Sequence, residues 1–206
     1  MKVKICGLRT EEAVLAAEDA GADFLGFIFY EKSHRHVLPE EVRGLTKHVQ
    51  RAKKVGVFVD APLDEVNAAA DFCSLDFVQL HGHESAAYAR AVCRPVIKAF
   101  RWGDDFSAEE ANDYPAEIIL LDSFSKDSVG GTGQRFRWRE AAEETARLEK
   151  PLLVAGGIAS GNVREAEEVF RPYGVDVSGS LEIEKRKFVE RIREFMAVVQ
   201  KRRIPE

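Results

Sequence analysis

Cysteine is scarce: Cys6, Cys73 and Cys93 are the whole complement of a 206-residue chain. Their number is odd, they lie far apart and no C-x-x-C pair occurs. That excludes a disulfide framework or a paired-cysteine zinc site and reads as free thiols in a reducing, cytoplasmic setting. Long apolar runs are missing as well. Nothing approaches the ~20 residues needed to cross a bilayer, and the N-terminus lacks a signal-peptide core, so no membrane partner is expected. A basic excess is absent, since 30 Lys and Arg face 35 Asp and Glu for a formal charge of -5. That argues against a general nucleic-acid binder. The G-K-[ST] ending of a P-loop does not occur, which removes the expectation of a nucleotide.

Against these absences stand 45% hydrophobic and 32% charged residues, enough for one globular domain over residues 1–206 with a full core. Strand-like runs recur at Val3–Cys6, Phe24–Phe29, Val55–Val59, Phe77–Leu80, Val96–Phe100, Ile118–Leu121, Leu152–Ala155 and Val175–Val177. Amphipathic stretches separate them. One opens at Thr10 with Glu12 in its first turn, another at Pro39-Glu40-Glu41, where proline and carboxylates suit a helix start. Others cover about Leu63 to Cys73 and, more briefly, Ala108 to Asn112, and a last helix is read from Arg186 to Lys201 with Phe188, Ile192, Phe195, Met196 and Val199 at helical spacing. Eight strands alternating with helices predict an α/β fold with a parallel sheet, and that count predicts a closed (β/α)8 TIM barrel. A doubly wound open sheet is the competitor, but it usually has fewer strands and a glycine-rich turn after the first, where only Gly7 stands.

In such barrels chemistry sits at the carboxyl ends of the strands. Cys6 ends the first strand and Asp122 the sixth, so both should face the mouth from separated sides. A thiolate can take a proton from carbon and a carboxyl can give one. The alternatives are a small buried hydrophobe for Cys6 and a loop cap for Asp122. Gly156-Gly157 after strand seven and Ser178-Gly179 after strand eight suit phosphate, because backbone N–H groups approach an anion closely there. Arg35 in Ser33-His34-Arg35-His36 could grip a carboxylate through two bonds or lie solvated. His34 and His36, with no carboxylate or third ligand nearby in sequence, make a poor metal site. His81 ends the fourth strand and is either a substrate-orienting group or a satisfied structural histidine. Gly130-Gly131-Thr132-Gly133 reads as a lid, Cys73 and Cys93 as packing residues, and Lys201-Arg202-Arg203 as a solvated helix end.

The runs KICGL, GFIFYEKSHRHV, VGVFVD, VQLHG, LLDS, GGTGQRFRW, LLVAGGI and VDVSG resemble, in order and spacing over nearly the whole chain, the phosphoribosylanthranilate isomerases of tryptophan biosynthesis. The resemblance implies a (β/α)8 barrel that carries out an Amadori rearrangement without metal or cofactor. Cys6 would be the general base, at a thiol moved somewhat down by surrounding dipoles, and Asp122 the general acid. Arg35 would hold the anthranilate carboxylate, and Gly156, Gly157, Ser178 and Gly179 the phosphate. His81 and Asp176 would complete the substrate contacts. The expected partner is one small phosphorylated substrate, with monomer and homodimer both open.

Two departures fall at the phosphate grip. Ser178-Gly179-Ser180-Leu181-Glu182 stands where the family usually reads S-S-G-[VI]-E, and the glycine-lysine-aspartate stretch after it is shortened to Ile183–Lys187. Two other readings follow from the residues. A sugar-phosphate isomerase of the related histidine-pathway type would place an aspartate where Cys6 stands. A catalytically weak barrel that binds a phosphorylated metabolite would draw its support from the altered run.

Overall fold

The computed structural model describes residues 1–103, 106–122 and 133–201, with side chains inside the sixth helix described from Trp138 onward. Strands β1 (Lys2–Cys6), β2 (Phe24–Ile28), β3 (Lys53–Phe58) and β4 (Phe77–Leu80) are followed by β5 (Val96–Arg101), β6 (Ile118–Asp122), β7 (Leu152–Ala155) and β8 (Gly174–Val177). All eight are parallel, each pairs with its sequence neighbours, and β8 closes on β1. The helices α1 (Glu11–Asp19), α2 (Pro39–Leu45), α3 (Leu63–Phe72), α4 (Ala86–Ala91), α5 (Ala108–Asp113), α6 (Gly133–Thr145) and α7 (Val163–Phe170) follow strands one to seven in order. The closed barrel expected from eight strand–helix repeats is therefore present, and the open sheet is excluded by the β8–β1 ladder.

Local chemistry places these elements where the sequence suggests. Thr10 caps α1, its hydroxyl accepting from Ala13 N–H, and Pro39 with Glu40 and Glu41 opens α2. Inside the barrel, alternate residues of successive strands meet: Phe24, Val55, Ile97, Leu120 and Leu153 form a dry plug. Between strands and helices lies the larger core, with Ile5, Leu25, Phe27, Leu80, Ile119 and Leu121 fully buried. The plug closes the lower part of the barrel, so the inward positions at the carboxyl ends of the strands are left to polar groups.

The chain after β8 departs from expectation. Arg186 and Lys187 do not begin the last helix. They form β10 (Arg186–Lys187), which pairs antiparallel with β9 (Glu182–Ile183), and α8 starts only at Val189 and runs to Gln200. Phe188 is the residue before α8 and is half exposed rather than part of its buried face. The turn residues Glu184 and Lys185 both have positive φ, 48° and 62°. This is the mirror-type turn that suits the twist of a two-residue hairpin loop. Helical periodicity read through Arg186–Phe188 could not reveal it, because the hairpin is held by contacts to other parts of the barrel. No helix among the described residues is long and apolar enough to cross a membrane.

Candidate active site

Cys6 lies at the end of β1 with its side chain inward, 6% exposed. Two residues earlier on the same face stands Lys4, wholly buried. Its register partner on β8 is Asp176, and Lys4 Nζ donates to both carboxylate oxygens at 3.1 Å. Opposite Cys6 across the β1–β2 ladder is Gly26. A Cβ there would come within 2.9 Å of Cys6 Sγ and 3.1 Å of Lys4 Nζ, so sulfur and ammonium occupy the space that Gly26 leaves empty. Burial pushes the Cys6 thiol above its ordinary value; Lys4 opposes this and Asp176 adds to it. The expectation of a thiol lowered by surrounding dipoles is thus overturned, since desolvation outweighs the neighbouring positive charge. Burial works against the Lys4 charge too, but Asp176 and Cys6 more than offset it and hold the ammonium above its usual range.

Gly7 explains why glycine follows the cysteine. Its φ is +79°, and a Cβ there would overlap the Arg35 side chain. The chain turns out of β1 at this point and lets Arg35 cross over the mouth.

His81, just past β4, and Asp122, at the end of β6, face one another with Nε2 and Oδ2 4.0 Å apart. Gln79, on the same face of β4 two residues before His81, has its amide nitrogen 2.9 Å from His81 Nδ1. An amide N–H donating there leaves the imidazole proton on Nε2, aimed toward Asp122. Burial lowers the His81 pKa, which favours this neutral form, although Asp122 pulls the other way. Gln79 Oε1 is buried with no hydrogen-bond partner among the described residues. The loop after His81 is stiffened from below by a buried ion pair: Lys98 Nζ donates to Glu84 Oε2 at 2.8 Å and to the Gly82 carbonyl at 2.7 Å.

Arg35 does grip a carboxylate, and the one it holds belongs to the protein. Nε donates to Glu182 Oε1 at 2.6 Å and Nη2 to Oε2 at 2.9 Å, a two-bond fork. Lys187, 3% exposed at its side chain, donates to the same Oε1 at 2.6 Å and reaches the Ser178 carbonyl and hydroxyl at 3.3 Å each. These contacts require the β9–β10 hairpin and account for it. Burial alone would raise the Glu182 carboxyl, but Arg35 and Lys187 bring it down to about 2. His34 Nε2 also lies 3.4 Å from Glu182 Oε2. Even so, no group of three His, Cys, Asp or Glu among the described residues is placed to hold a metal ion.

The two glycine-bearing loops meet. Gly156 and Gly157 have φ of 85° and 75°, and a Cβ on Gly157 would meet open space. Asn162, before α7, donates to the Gly157 carbonyl at 2.9 Å and accepts from Ala159 N–H at 2.8 Å. Ser178 Oγ donates to the Cys6 carbonyl at 2.9 Å, joining β8 to β1. Ser180 Oγ donates to the Ile158 carbonyl at 2.7 Å, joining the loop after β8 to the loop after β7. Ser180 is therefore a hydroxyl latch between the loops.

All of Cys6, Arg35, His81, Asp122, Gly156, Gly157, Asp176, Ser178 and Gly179 consequently gather at one end of the barrel. Lys4 and Gln79 join them without having been singled out in the sequence, and so do Ser180, Glu182 and Lys187 of the altered run after β8, which was noted there without any role for these side chains. Strand parity could have found Lys4 and Gln79, each two residues from a group at the mouth. Glu182 and Lys187 carry no such local signal. The Gly130–Gly133 lid expectation falls on residues 130–132 and a helix start outside the described side chains, and residues 202–203 of the basic tail are also outside. Cys73 is a buried packing residue as expected, whereas Cys93 is exposed, because it lies beyond the end of α4 rather than against the core.

A model of the N-(5'phosphoribosyl)anthranilate (PRA) isomerase family matches residues 3–198. The chain belongs to that family. An N-(5'-phosphoribosyl)anthranilate isomerase from Geobacter sp. (strain M21) is 47% identical over 205 residues, covering 97% of this chain and 98% of the relative. Among solved PRA isomerases, that of Thermus thermophilus is similar with a TM-score of 0.87 at 35% identity, covering 98% of this chain and 100% of the other. Another was solved in complex with reduced 1-(o-carboxyphenylamino)-1-deoxyribulose 5-phosphate. It gives a TM-score of 0.85 at 32% identity over 98% of this chain and 99% of that one. The PRA isomerase barrel is thus shared end to end, with both glycine-bearing loops inside the matched region.

Proposed function

We propose that the chain isomerises N-(5-phosphoribosyl)anthranilate to 1-(2-carboxyphenylamino)-1-deoxyribulose 5-phosphate by general acid–base catalysis. The observation that carries the mechanism is that Cys6 and Asp122 stand on well-separated strands of one mouth, with an arginine fork and the paired loops after β7 and β8 around them. Asp122 gives a proton to the furanose ring oxygen as the C1′–O bond breaks, and the aniline nitrogen lone pair forms the imine. That cation acidifies the C2′–H bond. Cys6 takes this proton, an S–H bond forms and the bonding pair becomes the C1′–C2′ double bond of the enolamine. Ketonisation then adds a proton at C1′ and removes one from the C2′ hydroxyl, so the overall reaction neither gains nor loses protons.

Arg35 supplies guanidinium N–H groups for the substrate carboxylate, held at its angle by Glu182. The N–H groups around Gly157 and Gly179, with Lys187 behind Ser178, suit the dianionic phosphate. His81 offers a neutral N–H between Asp122 and the substrate. Purified Cys6→Ala and Asp122→Asn proteins test this reading by the fluorescence change of phosphoribosylanthranilate turnover and by product titration. Each is expected to lose on the order of 10²–10⁴ in kcat while still binding product. Wild-type turnover in the Cys6→Ala protein would refute the base assignment.

A further inference from the structure

Among the described residues Lys4 is the one ammonium at the mouth with no exposure at all, and the reaction just described gives it no part. A buried lysine without a task is unusual, because removing its charge from water is expensive unless a partner compensates. Asp176 compensates here, through two bonds of 3.1 Å, and so fixes where the ammonium can sit. That place is beside the thiol. Both Cys6 Sγ and Lys4 Nζ lie against the single face of Gly26, within about 3 Å of the same point. Parity enforces the arrangement: positions 4 and 6 of β1 share a face, and Asp176 stands in register with position 4.

We propose that Lys4 is a positioning residue for Cys6, its Asp176-anchored ammonium offsetting part of the desolvation and so enlarging the share of ionised sulfur that accepts the C2′ proton. This inference rests on the reading of Cys6 as the base. The chemistry asks for it because a thiol so deeply desolvated resists ionisation, and a neutral thiol cannot take a proton from carbon. The charged groups that face Cys6 come from four places: Lys4 on β1, Asp176 on β8, Arg35 after β2 and Lys187 on β10. Arg35 and Lys187 share one carboxylate, Glu182, and are turned toward it by bonds of 2.6 Å each. Lys4 exerts the largest pull on the thiol, greater than the opposing push of Asp176. His81 and Asp122 act on Asp176 in turn. In the step itself the C2′–H bond breaks and the S–H bond forms, while Lys4 keeps its proton throughout.

The test is a pH titration of thiolate ultraviolet absorbance in a background where Cys73 and Cys93 are alanine, so that Cys6 is the one thiol observed. Lys4→Met is expected to move the Cys6 titration upward by about 1–3 pH units. The limb of the kcat/KM profile that Cys6 sets should move with it. Lys4→Met leaves Asp176 buried and unpaired, so Lys4→Met/Asp176→Asn is measured beside it, and its titration is also expected above wild type. Asp176→Asn alone keeps the ammonium and is expected to move the titration down. A purely structural Lys4 would lower kcat at every pH without moving the thiol, and an unmoved titration in the double variant overturns the proposal. Should the titration move while the kcat/KM profile stays fixed, the Lys4–Cys6 coupling stands and the base reading of Cys6 is what fails.

Discussion

Replacing Glu182 by glutamine tests the electrostatic scaffold of the mouth with almost no change of shape. The carboxylate is largely buried and accepts from Arg35 and Lys187. Its folded pKa is about 2, against 4.5 for an ordinary glutamate. For the carboxylate alone, a depression of that size corresponds to roughly 3 kcal/mol of stability. The cluster as a whole gains less, because burial takes the Lys187 ammonium below its ordinary value in spite of Glu182. A loss of about 1–3 kcal/mol at pH 7 is therefore expected for Glu182→Gln, by urea unfolding followed with circular dichroism. The pH dependence has a definite sign. A carboxylate with a lowered folded pKa stabilises fully above its unfolded value near 4.5, and the contribution fades as pH falls toward 2. Wild type and variant should thus converge on acidification, with about 1 kcal/mol of the gap gone by pH 4. Arg35 also loses its brace, so KM should rise. A gap that stays constant between pH 7 and pH 4 would refute the charge argument, because a lost packing contact has no such titration.

Other outcomes follow from single contacts. Gly26→Ala places a Cβ 2.9 Å from Cys6 Sγ and 3.1 Å from Lys4 Nζ, and it should abolish turnover while the far-ultraviolet spectrum stays native. Undiminished kcat would show that the sulfur has room to move. Ser180→Gly removes the 2.7 Å latch to Ile158; a loss of about 1 kcal/mol and a several-fold rise in KM with little change in kcat are expected. An unaltered KM would separate the latch from phosphate binding. Lys185→Gly relieves a side chain at φ 62° and should raise stability by roughly 1 kcal/mol in thermal unfolding. A fall instead would mean that the side chain itself anchors the hairpin.

Most of the barrel was legible because its signals are local. Each strand is a short apolar run, Thr10, Ser85 and Ser107 cap the helices they precede, and the first and last strands of the count differ from the observed ones by a residue at most. Cys6, His81 and Asp122 were legible for the same reason: each sits at the carboxyl end of a strand, where the fold class places chemistry. Lys4 was hidden in plain view, since Lys2-Val3-Lys4-Ile5 also reads as an ordinary alternating strand. Only closure of the barrel decides which face is inside. Arg186 and Lys187 read as the start of the last helix, because the hairpin they close answers to Arg35 and Ser178 far along the chain rather than to local periodicity.

The sequence by itself determined the repeat of strands and helices, the family resemblance and the placing of Cys6, Asp122 and Arg35 at one end of the fold. Tertiary structure alone decided how those groups are charged and aimed. The Lys4–Asp176 pair joins residues 172 apart in the chain and the Arg35–Glu182 pair residues 147 apart. Coulomb attraction and desolvation depend on distance in space and on burial, and neither can be read from position along a chain until the barrel closes.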